Sequence, residues 1–175
     1  MIFVSRREIR LWMVAISVIL AIYSTLGMVR DWFQFLESSN WGAGIFIGGC
    51  SSILIFVVTQ EITKIPRWKE IIVAIGVALT YFLVIKYTDQ IEQRIHVITY
   101  GVVALLIHAA MLERVTHGHH IPASSLIAMA IAASLGTIDE LIQLTLQSRV
   151  FALRDIQYNI LASVMAVISN IALRR

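Results

Sequence analysis

Six apolar runs divide this chain, and each is close to the length that crosses a lipid bilayer. A hydrocarbon core of about 30 Å takes ~20 residues of α-helix, with a range of about 17–25. The runs are Leu11 to Val29, Trp41 to Thr59, Ile71 to Tyr87, Ile95 to Leu112, Ile121 to Ile138 and Ile156 to Leu173. Lys86 sits near the end of the third, where its stem can carry the charge to the headgroups. Backbone polar groups in lipid must pair within the segment, so these runs are expected to be helices. The two-residue alternation of a membrane β-barrel is absent. The expectation is an all-α, polytopic transmembrane helix bundle of six spans, forming a single domain over residues 1–175.

Composition agrees. Hydrophobic residues make up 58% of the chain and charged residues only 14%, against about 25% charged in soluble domains. The net charge of +3 does not point to nucleic acid, because the basic residues lie in short connections and at the ends without interleaved aromatics. Their placement instead sets orientation. Arg6, Arg7, Arg10, Lys64, Arg67, Lys69, Arg114, Arg174 and Arg175 fall on one side. Arg30, Lys86, Arg94, Arg149 and Arg154 fall on the other. The positive-inside rule places the first set, and both termini, in the cytoplasm of a cytoplasmic-membrane protein. The first run is longer than a signal-peptide core and is followed by no small-x-small cleavage pattern, so it is read as a retained span. The stretch from Arg30 to Asn40 carries Trp32, Phe33, Phe35 and Leu36 and suits the outer interface. The one cysteine, Cys50, lies in an apolar run and supports no intramolecular disulfide.

Polar residues are costly near lipid, so their positions carry information. Glu92, His96 and Tyr100 are spaced i, i+4, i+8 at the start of the fourth run, on one helix face. Glu140 and Gln143, with Asp139 adjacent, close the fifth run. Asp155 and Asn159 open the sixth, after a short connection holding Arg149 and Arg154. With alternating spans, all three groups meet at one membrane depth, on the extracytoplasmic side. Such a set can be a structural ion-pair network, a headgroup-binding site or a proton-transfer site.

These residues resemble the VanZ-like family of small bacterial membrane proteins. The matching blocks are Glu92, His96 and Tyr100, then Glu140-Leu-Ile-Gln143, Arg149, Asp155-Ile-Gln-Tyr-Asn159 and the small residues after it, over approximately 92–166. The chain departs from the family pattern at Gln93, where a lysine is common, at Gln147-Ser148, where Pro-Gly is frequent, and at Ala162, where a glycine is usual. The resemblance implies an envelope protein whose namesake lowers susceptibility to the glycopeptide teicoplanin.

The expected function is binding or modification of a lipid headgroup or lipid-linked envelope precursor at an outward-facing polar pocket. Arg149 is expected to contact phosphate beside the free amides that open the sixth helix. Asp155 would orient Arg149 or cap that helix. His96 and Glu140 are the expected working pair if chemistry occurs, with Glu92 or Glu140 orienting the imidazole. Glu92, Tyr100, Gln143, Arg149, Asp155 and Asn159 are the expected ligand-binding residues. The competing classes are a small transporter or channel, and a non-catalytic membrane partner. No cofactor or metal is expected. His117, His119 and His120 share a loop with Glu113 as the one nearby acid, too little to assign a metal. His108, mid-span, is expected to donate to a backbone carbonyl. Ser51, Ser52, Ser124 and Ser125 have no histidine at hydrolase-motif spacing. Gly44 and Gly48 form a Gly-x-x-x-Gly that permits close helix contact, within the bundle or in a homodimer.

Overall fold

The computed structural model describes residues 3–25, 38, 44, 48, 68–87, 91–144 and 153–173. Among these there are five long helices and no strand: α1 (Arg6–Thr25), α2 (Trp68–Tyr87), α3 (Ile91–Thr116), α4 (Ser124–Gln143) and α5 (Leu153–Leu173). They correspond to the first, third, fourth, fifth and sixth apolar runs. The second run, from Trp41 to Thr59, lies outside the described residues except at Gly44 and Gly48, which are helical. A Cβ at either glycine would meet nothing within 4 Å.

The helix ends follow capping chemistry rather than hydropathy. α1 begins before its apolar run because Ser5 and Glu8 form an S-x-x-E start. The Glu8 amide donates to Ser5 Oγ at 3.0 Å, and Glu8 Oε2 accepts from the Val4 amide at 2.7 Å. α3 runs on past Leu112 to Thr116 and is closed by Gly118 at φ 87°. The amides of His117 and His119 both return to the Arg114 carbonyl, satisfying acceptors that a helix end leaves open. α4 starts later than its run. Ala123 takes φ 49° as the cap, and its carbonyl accepts from Ile127. Pro122 therefore lies in the turn ahead of the helix and not in its first turn, because its fixed φ suits a turn equally well.

α3 is the axis of the bundle. It packs against α5, α1, α4 and α2, and α5 also packs against α4 and α2. From Val97 to Ala110 its side chains are buried apart from the half-buried Thr99. The core combines Val103, Leu106 and Ile107 with the small residues Ala128, Ala132 and Ala166, which let the helices approach closely. At α2 the Tyr81 hydroxyl donates to the Ala162 carbonyl at 3.3 Å and passes over Gly101, where a Cβ would lie 2.9 Å from its oxygen.

α3 runs antiparallel to α1 and to α4. At the end holding the 117–123 turn, Arg114 Nε lies 2.8 Å from Glu8 Oε1 and Arg7 Nη1 lies 3.6 Å from Glu113 Oε2. Ser5 Oγ donates to Glu113 Oε1 at 2.9 Å. This network joins the start of α1 to the end of α3. One layer inward, His108 Nε2 lies 3.0 Å from Ser125 Oγ. The partner seen at His108 Nε2 is a hydroxyl from α4. His117, His119 and His120 are exposed, and His117 Nδ1 lies 2.8 Å from the Glu113 carbonyl.

The outer surface is apolar. Met13, Ile16 and Leu20 on α1, Ile75 and Phe82 on α2, and Ile168 on α5 are all more than half exposed. Polar side chains point inward: Asn159, Ser163, Ser169 and Asn170 on α5 are buried. Among the described residues, two helical segments, His96–Thr116 and Ser124–Gln143, are long and apolar enough to cross a membrane; the first is mostly inside the bundle and the second mostly on its surface.

Candidate functional site

At the end opposite the 117–123 turn, the start of α3, the end of α4 and the start of α5 bring their polar residues together. The face of α4 that packs inward is marked by Ala128, Ala132, Gly136, Asp139, Glu140 and Gln143. These fall at helical spacing, so the small-residue stripe that fits against the neighbouring helices runs directly into the acids. His96 of α3 meets that stripe. Its Nδ1 lies 3.4 Å from Asp139 Oδ2. One donor atom from each of His96, Asp139 and Glu140 lies within 4.8 Å of the other two.

Neighbouring groups hold these three in place. The His96 ring stacks on Tyr100, with centroids 5.9 Å apart and planes 14° from parallel. The Tyr100 hydroxyl lies beside Asp139, without a hydrogen bond of ordinary geometry. Gln143 Nε2 donates to Glu140 Oε1 at 3.4 Å, a long bond within one turn of α4. Asn159 Nδ2 donates to the Gly136 carbonyl at 3.2 Å, fixing α5 against α4 one turn before the acids. Ser163 Oγ donates to the Asn159 carbonyl at 2.8 Å. Tyr23 at the end of α1 donates to the Leu135 carbonyl at 2.9 Å.

Burial is near complete. Asp139, Glu140 and Asn159 are 0% exposed, and Tyr100 and Gln143 are 1% exposed. His96 is 8% exposed, and Asp155 7% in the first turn of α5, where a carboxylate is favoured by the helix dipole. Burying an ion without compensation costs several kcal/mol, so two adjacent wholly buried acids are expensive and mark the place.

Of the residues singled out from sequence, His96, Tyr100, Glu140 and Gln143 come together here. Asn159 joins them through Gly136. Asp155 is buried one turn before Asn159. Arg149 lies outside the described residues, and so does the side chain of Glu92, although its backbone belongs to α3. The acid found against His96 Nδ1 is Asp139, which sequence reasoning had noted only as the neighbour of Glu140. The buried stripe through Ala132 and Gly136 was the signal for it: Asp139 follows Ala132 by seven residues and Gly136 by three, on the packing face. Tyr23 and Tyr81 also went unnoticed, since a tyrosine near the end of a span reads as an interfacial anchor.

Chemically, the cluster offers one imidazole and two carboxylates, with a tyrosine and a glutamine beside them. It can hold a cation, pass a proton between His96 and an acid, or orient a polar headgroup. The chain matches no family model, no curated protein and no solved structure.

Proposed function

We propose that this chain is an integral protein of the cytoplasmic membrane, with six spans and both termini in the cytoplasm. It binds the headgroup of a lipid or lipid-linked envelope precursor at its extracytoplasmic end, with the cluster of His96, Asp139 and Glu140 facing the headgroup's hydroxyl or amine groups. The observation that carries this reading is the inversion of polarity: buried ionisable groups at one depth, inside helices whose outer faces are apolar. The resemblance to the VanZ-like family adds an envelope setting. Tyr100, Gln143, Asp155 and Asn159 surround the cluster, and Glu92 remains a candidate from the sequence. Arg149, on the connection to α5, supplies the guanidinium for phosphate. His96 is the group able to carry a proton, with Asp139 orienting it and Glu140 as the second acid, should a transfer or hydrolysis follow binding. Glycopeptide susceptibility would be affected only if the headgroup belongs to a cell-wall precursor.

A transport path finds one supporting observation, the further buried polar groups Ser163, Ser169 and Asn170 on α5. However, the apolar layer of Val103, Leu106, Ile107, Ala166 and Val167 separates the cluster from His108 and Ser125. A conducting path needs polar continuity through the midplane, so headgroup binding is the better reading.

Orientation is tested by single cysteines in a Cys50→Ser background. Cysteines at positions 38 and 148 are expected to react with a membrane-impermeant thiol reagent in intact cells, and one at position 116 is not. The reverse pattern overturns the orientation. Headgroup binding is tested by native mass spectrometry of protein extracted in mild detergent. A retained phospholipid or precursor is expected, and its retention should fall in Arg149→Ala and His96→Ala while both stay folded. Folded variants that keep the parent's lipid would make the cluster a structural ion-pair network.

A further inference from the structure

We propose that His96, Asp139 and Glu140 form a binding site for one divalent transition cation of the zinc or manganese class, whose open coordination positions receive the anionic headgroup. The second half of this statement rests on the headgroup reading above; the cation site stands on its own geometry.

The donor set comes first. One imidazole nitrogen and two carboxylates match zinc, manganese and iron(II), which accept mixed nitrogen and oxygen ligands. Soft thiolate metals are not served by it, and calcium prefers oxygen ligands alone. Three protein ligands are also the number that leaves a position open for an exogenous ligand, whereas purely structural zinc sites are closed by four.

Distances come next. His96 Nδ1 and Asp139 Oδ2 are 3.4 Å apart. That is longer than the ~2.9 Å usual for an N–H···O bond. It is close to the edge of a tetrahedron built on metal–ligand bonds of about 2.0–2.1 Å, roughly 3.3 Å. The Glu140 donor already lies within 4.8 Å of the other two.

Electrostatics agree. Asp139 and Glu140 are consecutive and both wholly buried, so two like charges share one small volume. A protonated His96 offsets one of them. A doubly charged cation offsets both and removes the repulsion between them, which is the general reason metals occupy buried acidic sites.

The surroundings have the form of an outer shell. Metal ligands are held by partners that fix their orientation. Gln143 Nε2 holds Glu140 Oε1, the Tyr100 ring holds the plane of His96, and the Tyr100 hydroxyl stands beside Asp139. All three ligands sit on long helices packed against each other, not on loops. The loop histidines 117, 119 and 120 are a different case: they are exposed, and among the described residues His117 is engaged with Glu113.

The test uses the full chain, purified in detergent, stripped with chelator and passed through a desalting column. His119→Ala and His120→Ala are introduced together as the background, to remove adventitious binding by the loop. Titration with Zn²⁺ or Mn²⁺, read by elemental analysis and by the Mn²⁺ electron paramagnetic resonance signal, is expected to give one ion per chain. Co²⁺ substitution is expected to give visible bands of a nitrogen–oxygen site. His96→Ala and the isosteric Asp139→Asn and Glu140→Gln should each abolish stoichiometric binding. Gln143→Leu, which removes only a supporting contact, should weaken binding by about 10–100-fold. Asp139→Asn and Glu140→Gln preserve shape, so they remain informative if His96→Ala fails to fold. The proposal is overturned if the parent retains no ion at any of the three metals, or if folded Asp139→Asn and Glu140→Gln bind as tightly as the parent. Lipid retention is measured on the stripped samples and again after each is reloaded with metal. Absence of metal with headgroup retained sinks the cation alone, while metal bound with no headgroup retained under any condition sinks the headgroup reading alone.

Discussion

Replacing Arg114 by alanine is expected to destabilise the protein by about 1–3 kcal/mol, the usual cost of leaving a buried acceptor without its partner, because Glu8 is buried while Arg114 itself is one-third exposed. Glu8 is 1% exposed and lies 2.8 Å from Arg114 Nε. Its other oxygen accepts from the Val4 amide, so it is fixed in place by the cap of α1 and cannot swing out to water. For a chain of this size each kcal/mol shifts Tm by about 2–4 °C, so a fall of roughly 2–12 °C in detergent is expected. Adding Glu8→Gln to Arg114→Ala removes the stranded charge and should recover a substantial part of the loss. A parent-like Tm for Arg114→Ala, or no recovery in the double variant, would show that this pair does not hold α1 to α3. The pairing leaves the orientation argument intact, because acidic residues contribute little to topology even where they neutralise an arginine.

That network also shows what hydropathy alone missed. Arg7 and Arg114 entered the sequence reading as topological charges, and Glu8 and Glu113 were given no partners. The partners are 106 positions away in the case of Glu8 and Arg114, and no local pattern reports such a pair. Local chemistry did report the helix start: Ser5-x-x-Glu8 is a capping sequence, and it carries α1 back over four charged residues that an apolar run excludes. At α4 the same kind of local detail worked against expectation, since Pro122 suits both a turn and a first helical turn. The all-helical class was readable because long uncharged runs admit few alternatives.

The candidate site was readable to the extent that it obeys helix periodicity. His96 and Tyr100 share a face, as do Glu140 and Gln143, and alternation of spans put those faces at one depth. Asp139 needed a further step. Its neighbour Glu140 already satisfied the i, i+3 pattern with Gln143, and a second acid one residue away falls about 100° around the helix at 3.6 residues per turn. The packing face of α4 is broad enough to include both, and the reason lies in Gly136, which lets α5 come close to that face.

Gly136→Ala is therefore expected to disturb both packing and site. A Cβ there would stand 2.7 Å from Asn159 Cβ, 2.8 Å from its Nδ2 and 2.9 Å from its Cγ. The contact with a Cβ decides the outcome, because a Cβ moves only with its backbone, whereas the Tyr81 oxygen facing Gly101 is the far end of a side chain. α5 must move away from α4, the Asn159 Nδ2 bond to the Gly136 carbonyl lengthens, and Asp139 and Glu140 shift against His96 about one turn further on. Overpacking of this kind costs about 1–3 kcal/mol, read as a lower Tm, and the one-ion stoichiometry expected for the cluster should be lost with it. A double-mutant cycle identifies the cause. Asn159→Ala keeps the clashing Cβ and should rescue little. Asn159→Gly removes all three clashing atoms, so its cycle with Gly136→Ala should show a favourable coupling despite the ordinary cost of glycine in a helix. A Gly136→Ala variant as stable as the parent, or equal coupling with both Asn159 replacements, would mean that α4 and α5 do not meet at this point.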